Sequence, residues 1–378
     1  MGSNLMNAVF NKNKDEIEKQ IRLLEENVNW SLITFIDEFV PYLIGETNLK
    51  YNNFHMIKMS LFVKQLSMDK LLAKETEIKM LLLLACEMVR RHFFKIEIAK
   101  NDNCNKEATF YLHNFQKEMK NKNAHNAFHY AFGLQKTKPN LLANLLLKLG
   151  AVFIPQTLGH SLSCYYPAVK QMVNSFNKHS HTALMSYIIY LTRFDINDFL
   201  IKKIHDDNRS SIDYLKILKI CSTGKGIVNL HHMITFFILA EWETASFNEE
   251  KKVPYSILKN WIKDKKLEDG IDNKLENYSK SDYQIVSYEE FKELFEFENR
   301  EQTLNLVFSQ LKKDSITTID WLFRIYASSY DERTWDPHYL TSLYASFKLY
   351  RQKDKFGENA CLMALYQAIT YFLDSVKI

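Results

Sequence analysis

HHMITFFILAEWE, residues 231–243, is apolar enough to form a central helix rather than a surface one. Thr235, Phe236 and Leu239 follow His232 at i+3, i+4 and i+7, so a helix turns them and the imidazole inward together. His231 points about 100° away, toward a different neighbour.

Working outward, the same helical grammar recurs. Ile17, Ile21, Leu24 and Val28 are spaced i, i+4, i+7 and i+11 with Lys and Glu between them. Further helices are expected at 32–44, with Pro41 kinking or ending it, at 54–66, and from Lys70 to Phe94. One helix is expected over 109–135, with Gly133 near its stop, and others over 161–177, 181–194 and 195–230. The last is interrupted by STGKG at 222–226. That string matches only part of a phosphate-binding loop, because the first glycine is missing and Ile227 stands where Ser or Thr is required.

The chain of 378 residues holds 9 glycines and 6 prolines. Average usage predicts roughly 26 and 19. These residues punctuate sheets and tight turns, so their scarcity predicts an all-α chain of long helices. With the histidines and aromatics of its apolar segments, the expectation is a multi-helix array around a central His- and aromatic-lined cavity. Residues 263–283, KDKKLEDGIDNKLENYSKSDY, are the most hydrophilic stretch and read as a polar linker. They divide a helical core domain, 1–262, from a C-terminal helical subdomain, 284–378.

The charged fraction is 25% and the net charge only +4, which gives no case for a nucleic-acid partner. No apolar run reaches the roughly 20 residues of a membrane span, and the N-terminus lacks a signal-peptide core. The five cysteines form no CxxC pair, which argues against a disulfide framework or zinc finger. A cytoplasmic protein without membrane or nucleic-acid partners is the expectation; oligomeric state is not legible.

Eight of the twelve histidines fall between His125 and His232. An imidazole in an apolar segment costs desolvation unless it finds a partner, and it is the side chain suited to ligating a metal or moving a proton near neutral pH. His125 and His129 are one helical turn apart, a spacing that can chelate a metal; Asn126 in place of Glu disfavours a zinc protease. His160 follows Gly159 at an expected helix start, four residues before Cys164, with which it could form a nucleophilic pair. His181 shares a face with Leu184 and Ile188. No ExxH pair accompanies these residues, so a ferritin-like di-iron site is not expected. Proton transfer by histidines and an all-histidine metal site both stay open.

Order and character of the segments resemble the questin oxidase-like family over about residues 50–245. NNFHMIKMSLFVKQL, with His55, looks like that family's first His-bearing helix. HNAFHYAFGLQ, LGHSLSC, HTALMSYIIYLTRFD and LHHMITFFILAEWE look like the ones that follow. The resemblance implies an α-helical oxidase or monooxygenase that inserts oxygen into a polycyclic aromatic or quinone-like substrate in a Baeyer–Villiger manner. It leaves the cofactor open: any NADPH or flavin would bind without a GxGxxG fingerprint, or not at all, and a metal stays open as well. The candidate catalytic residues are His55, His125, His129, His160, His181 and His232. The alternative is a non-enzymatic helical scaffold binding a protein or peptide. An enzyme predicts imidazoles sharing one interior; a scaffold predicts imidazoles scattered over unrelated faces.

Overall fold

Every residue from Leu230 to Ala240 is buried, so the segment quoted above is the axis on which the rest packs. The computed structural model describes residues 2–26, 30–43, 55–90, 106–163, 178–197, 212–244, 252–268, 270–278, 285, 287–296 and 299–375. Among these there is helix and no strand, and the fold is all-α.

The N-terminal helices are α1 Gly2–Phe10, α2 Lys14–Glu25, α3 Leu32–Leu43, α4 His55–Met68 and α5 Lys74–Val89. Next come α6 Ala108–Lys120, α7 Ala124–Thr137, α8 Pro139–Val152, the short α9 His160–Ser163 and α10 Lys178–Leu191. The middle holds α11 Tyr214–Cys221, α12 Ile227–Thr244, α13 Lys252–Trp261 and α14 Ile271–Tyr278. The last six are α15 Tyr288–Glu296, α16 Arg300–Lys313, α17 Ser315–Ser328, α18 Pro337–Tyr350, α19 Lys353–Phe356 and α20 Glu358–Ser375. No helix among the described residues is long and apolar enough to cross a membrane.

Helix α12 packs on α9, α13, α18 and α20, and α18 packs in turn on α4 and α20. Helix α18 is as deeply buried as α12, with all its residues from His338 to Phe347 below the surface. Its hydroxyls do not prevent this, because they bond within the helix: Thr341 Oγ1 donates to the Pro337 carbonyl at 3.1 Å and Ser346 Oγ to that of Leu343 at 3.1 Å. Small polar side chains that satisfy themselves let helices approach closely.

Three sequence expectations change. The single helix over 109–135 is two, α6 and α7, because Lys122 takes a left-handed φ of 56° and Asn123 caps α7 by accepting from Asn126 N at 3.2 Å. Of the two effects expected of Pro41, ending the helix is ruled out, because α3 runs through it to Leu43. The stretch 263–283 carries α14, whose Ile271, Leu275 and Tyr278 form a buried i, i+4, i+7 stripe against α16 and α20. Its many charges had hidden that stripe. The expected continuations over 91–94, 164–177 and 198–211 lie outside the described residues, as do His92 and Cys164.

Candidate functional site

Four imidazoles meet where α4, α9, α12 and α18 come together. His55 is on α4, His160 on α9, His231 on α12 and His338 on α18. The His160 ring centroid lies 5.0 Å from that of His55 and 4.4 Å from that of His231. The His338 centroid lies 4.7 Å from His55 and 4.6 Å from His231.

Local structure fixes each ring. Pro155 opens a short 3-10 turn, Leu158 and Gly159 take left-handed φ values of 51° and 76°, and the chain swings His160 over α12. His160 Nδ1 donates to the Thr157 carbonyl at 2.7 Å, which leaves its Nε2 as a lone pair facing His55 Nε2 at 3.1 Å. His338 follows Asp336 and Pro337, an N-cap and a first-position proline. Asp336 Oδ1 accepts from the His338 backbone N at 2.9 Å and from its ring Nδ1 at 2.5 Å. Tyr371 OH donates to Asp336 Oδ2 at 2.6 Å. These partners assign the His338 tautomer and turn its Nε2 inward, where it finds no hydrogen-bond partner among the described residues; His55 Nδ1 likewise finds none among them.

Burial and neighbouring charge keep three of the rings, His55, His160 and His231, neutral. Burial, then the charge of Lys58, pushes His55 well below the ordinary imidazole value. The same two causes bring His160 down to about 3, against the pull of the Thr157 carbonyl. His231 is driven well down by burial and by its His338 and His160 neighbours. Lys58 is fully buried one turn along α4 from His55, with Nζ 3.5 Å from Ser163 Oγ. Burial would raise the Asp336 carboxyl, but the hydrogen bond and charge of His338 and the Tyr371 hydroxyl hold it at about 2. Tyr371 also lines a cavity of about 30 Å³ beneath the 222–226 loop, room for a water molecule.

Of the six histidines singled out by sequence, the structure brings together His55 and His160. The expectation that all six share one interior is corrected. His125 is exposed and His129 half-buried beside Tyr130, because the inner face of α7 is taken by Ala127, Phe128, Ala131 and Leu134. His181 lies edge-on to Phe132 at 4.6 Å. His232 faces the other side of α12, 4.2 Å from the Trp261 ring, with Nδ1 3.2 Å from Lys265 Nζ. Its neighbour His231 takes the place expected for it. Sequence reasoning missed His338 altogether; the string Asp336-Pro337-His338, a capped helix start presenting an imidazole, was the available signal.

Gly159 is required twice over at this corner. A Cβ there would sit 2.2 Å from Thr235 Oγ1, in a backbone conformation that side chains disfavour. Gly159→Ala is expected to cost about 2 kcal/mol or more in urea unfolding. Adding Thr235→Ala should recover the steric part and leave the backbone part. Unchanged stability in the single variant would refute this account of the turn.

No protein-family profile, curated protein or solved structure matches the chain.

Proposed function

We propose that the chain is an oxidoreductase of the questin oxidase-like type, oxidising a flat polycyclic aromatic or quinone-like small molecule at the His55–His160–His231–His338 cluster. The observation that supports it most is the Tyr371–Asp336–His338 relay directed at neutral rings beside a buried lysine. An imidazole held in one tautomer by a carboxylate is the arrangement of a general base. His338 Nε2 removes a phenolic proton, Asp336 holds the resulting imidazolium, and the Lys58 ammonium stabilises the phenolate.

In the overall reaction a ring C–C bond beside a carbonyl breaks and a C–O bond forms. One oxygen atom of dioxygen enters the product as an ester oxygen. The other leaves as water, taking up a hydride from a nicotinamide reductant and a proton. The test supplies hydroxylated anthraquinones, NADPH and isotopically labelled dioxygen to the purified protein, with products followed by mass spectrometry. One labelled oxygen per product is expected. Asp336→Asn, which keeps the shape but removes the charge, should lower the rate by about 10²–10⁴-fold with the helical circular dichroism intact. Absence of labelled product across the probes, or an undiminished rate in Asp336→Asn, would overturn the reading.

A further inference from the structure

We propose that His55, His160 and His338 bind one divalent transition-metal ion of the zinc, cobalt or iron class. One ring nitrogen from each lies within 4.8 Å of the other two. The His55 and His160 Nε2 atoms are 3.1 Å apart, close to the edge of roughly 3.3 Å that two nitrogens make around a tetrahedral ion with bonds of about 2.0 Å. An all-imidazole set suits zinc, copper, iron and nickel and disfavours calcium or magnesium.

The second argument comes from the far side of the rings. Metal-bound histidines hand their other N–H to a carboxylate or a backbone carbonyl, which fixes the lone pair toward the ion. His160 gives Nδ1–H to the Thr157 carbonyl, and His338 gives Nδ1–H to Asp336, itself held by Tyr371. Both arrangements leave Nε2 as the ring nitrogen with a lone pair to offer an ion. Simple core packing accounts for these outer bonds and lets His55 Nε2–H donate to His160 Nε2, but leaves His338 Nε2 buried without a hydrogen-bond partner among the described residues. An ion would take all three Nε2 lone pairs at once and leave His55 Nδ1 as the ring nitrogen still without a partner there.

His231 closes the site from α12 as a wall, 4.4 Å from the His160 ring and 4.6 Å from the His338 ring. Three protein ligands leave a fourth position open, as in catalytic zinc sites, and it is assigned to hydroxide or to the phenolate oxygen of a bound aromatic. The assignment of a phenolate rests on the function proposed above; binding of the ion does not, and with the ion in place His338 Nε2 would be a ligand, so a hydroxide in the open position would take the phenolic proton in its stead, leaving as water.

The experiment uses the full chain, stripped with a chelator and titrated with Co²⁺, then with Zn²⁺. Expected are one equivalent bound, the absorption of tetrahedral cobalt, and displacement of cobalt by zinc. His338→Gln and His160→Gln should each abolish the cobalt spectrum, and Asp336→Asn should weaken binding about 10–100-fold. His232→Gln, on the opposite face of α12, should leave stoichiometry and spectrum unchanged. If the glutamine variants lose their helical circular dichroism, Asp336→Asn carries the test. The proposal is overturned if the folded wild-type chain takes up no stoichiometric ion, or if binding persists undiminished in the folded His338→Gln and Asp336→Asn variants. Metal bound without any oxygenated product sinks the oxidoreductase reading and leaves the metal site standing. Oxygenated product from a folded chain that takes up no stoichiometric ion does the reverse.

Discussion

Between pH 8 and pH 5.5 the metal-stripped chain is expected to lose on the order of 3 kcal/mol of stability from His160 and His232 alone. Burial brings each of these rings down to about 3 in the folded chain, against about 6.5 when unfolded. A depressed imidazole means the unfolded chain takes up protons first. Stability is therefore full above about 6.5 and falls as the pH drops toward about 3. His55 and His231, pushed well down by burial, act in the same direction. The loss is large against the 5–15 kcal/mol typical of a folded domain. Urea unfolding at a series of pH values measures it directly. His232→Gln should flatten the slope by about one proton in this window. A stability that stays level from pH 8 to pH 5.5 would show that the rings are not held neutral.

Phe62→Ala is expected to cost about 3–5 kcal/mol in urea unfolding. Phe62 is fully buried on α4 and stacks on Tyr344 of α18, with centroids 4.1 Å apart and planes at 17°. It also meets Phe237 of α12 edge-on at 6.1 Å, and Phe237 meets Tyr344 at 5.6 Å. These three helices carry His55, His338 and His231. The aromatic triad thus repeats, about two turns along each helix, the meeting of the same three elements that forms the imidazole cluster. Removing the central ring leaves a cavity among rigid neighbours that cannot collapse to fill it. Phe62→Leu, which keeps most of the volume, should cost markedly less. A cost below about 1 kcal/mol for the alanine variant would mean that these helices are not locked by this layer.

The helices were legible because their signals are local. Ile17, Ile21 and Leu24 line the buried face of α2, and the run at 231–240 lies in the most buried stretch of α12. Scarcity of Gly and Pro argued against an all-β or Rossmann-type chain. Boundaries failed where a local exception prevailed, at the left-handed Lys122 and the sparse stripe of α14. The site was half legible. His55 and His160 were marked out by their setting, His160 by the glycine before it. The pattern favoured His232 over His231, but α12 is buried on every side from Leu230 to Ala240, so an inward face did not decide between them. Only the placement of α9 and α18 on one side and of Trp261 and Lys265 on the other tells them apart.

From the sequence alone follow the helical class, most helix positions and the presence of imidazoles in apolar surroundings, since these depend on neighbours within a turn or two. The tertiary structure decided which imidazoles meet. His338 enters the cluster from the C-terminal part of the chain because α18 packs against both α4 and α12. Asp336 and Tyr371 reach its ring through a helix cap and a separate helix. Such contacts between distant residues depend on how helices cross, and no periodicity along the chain encodes them.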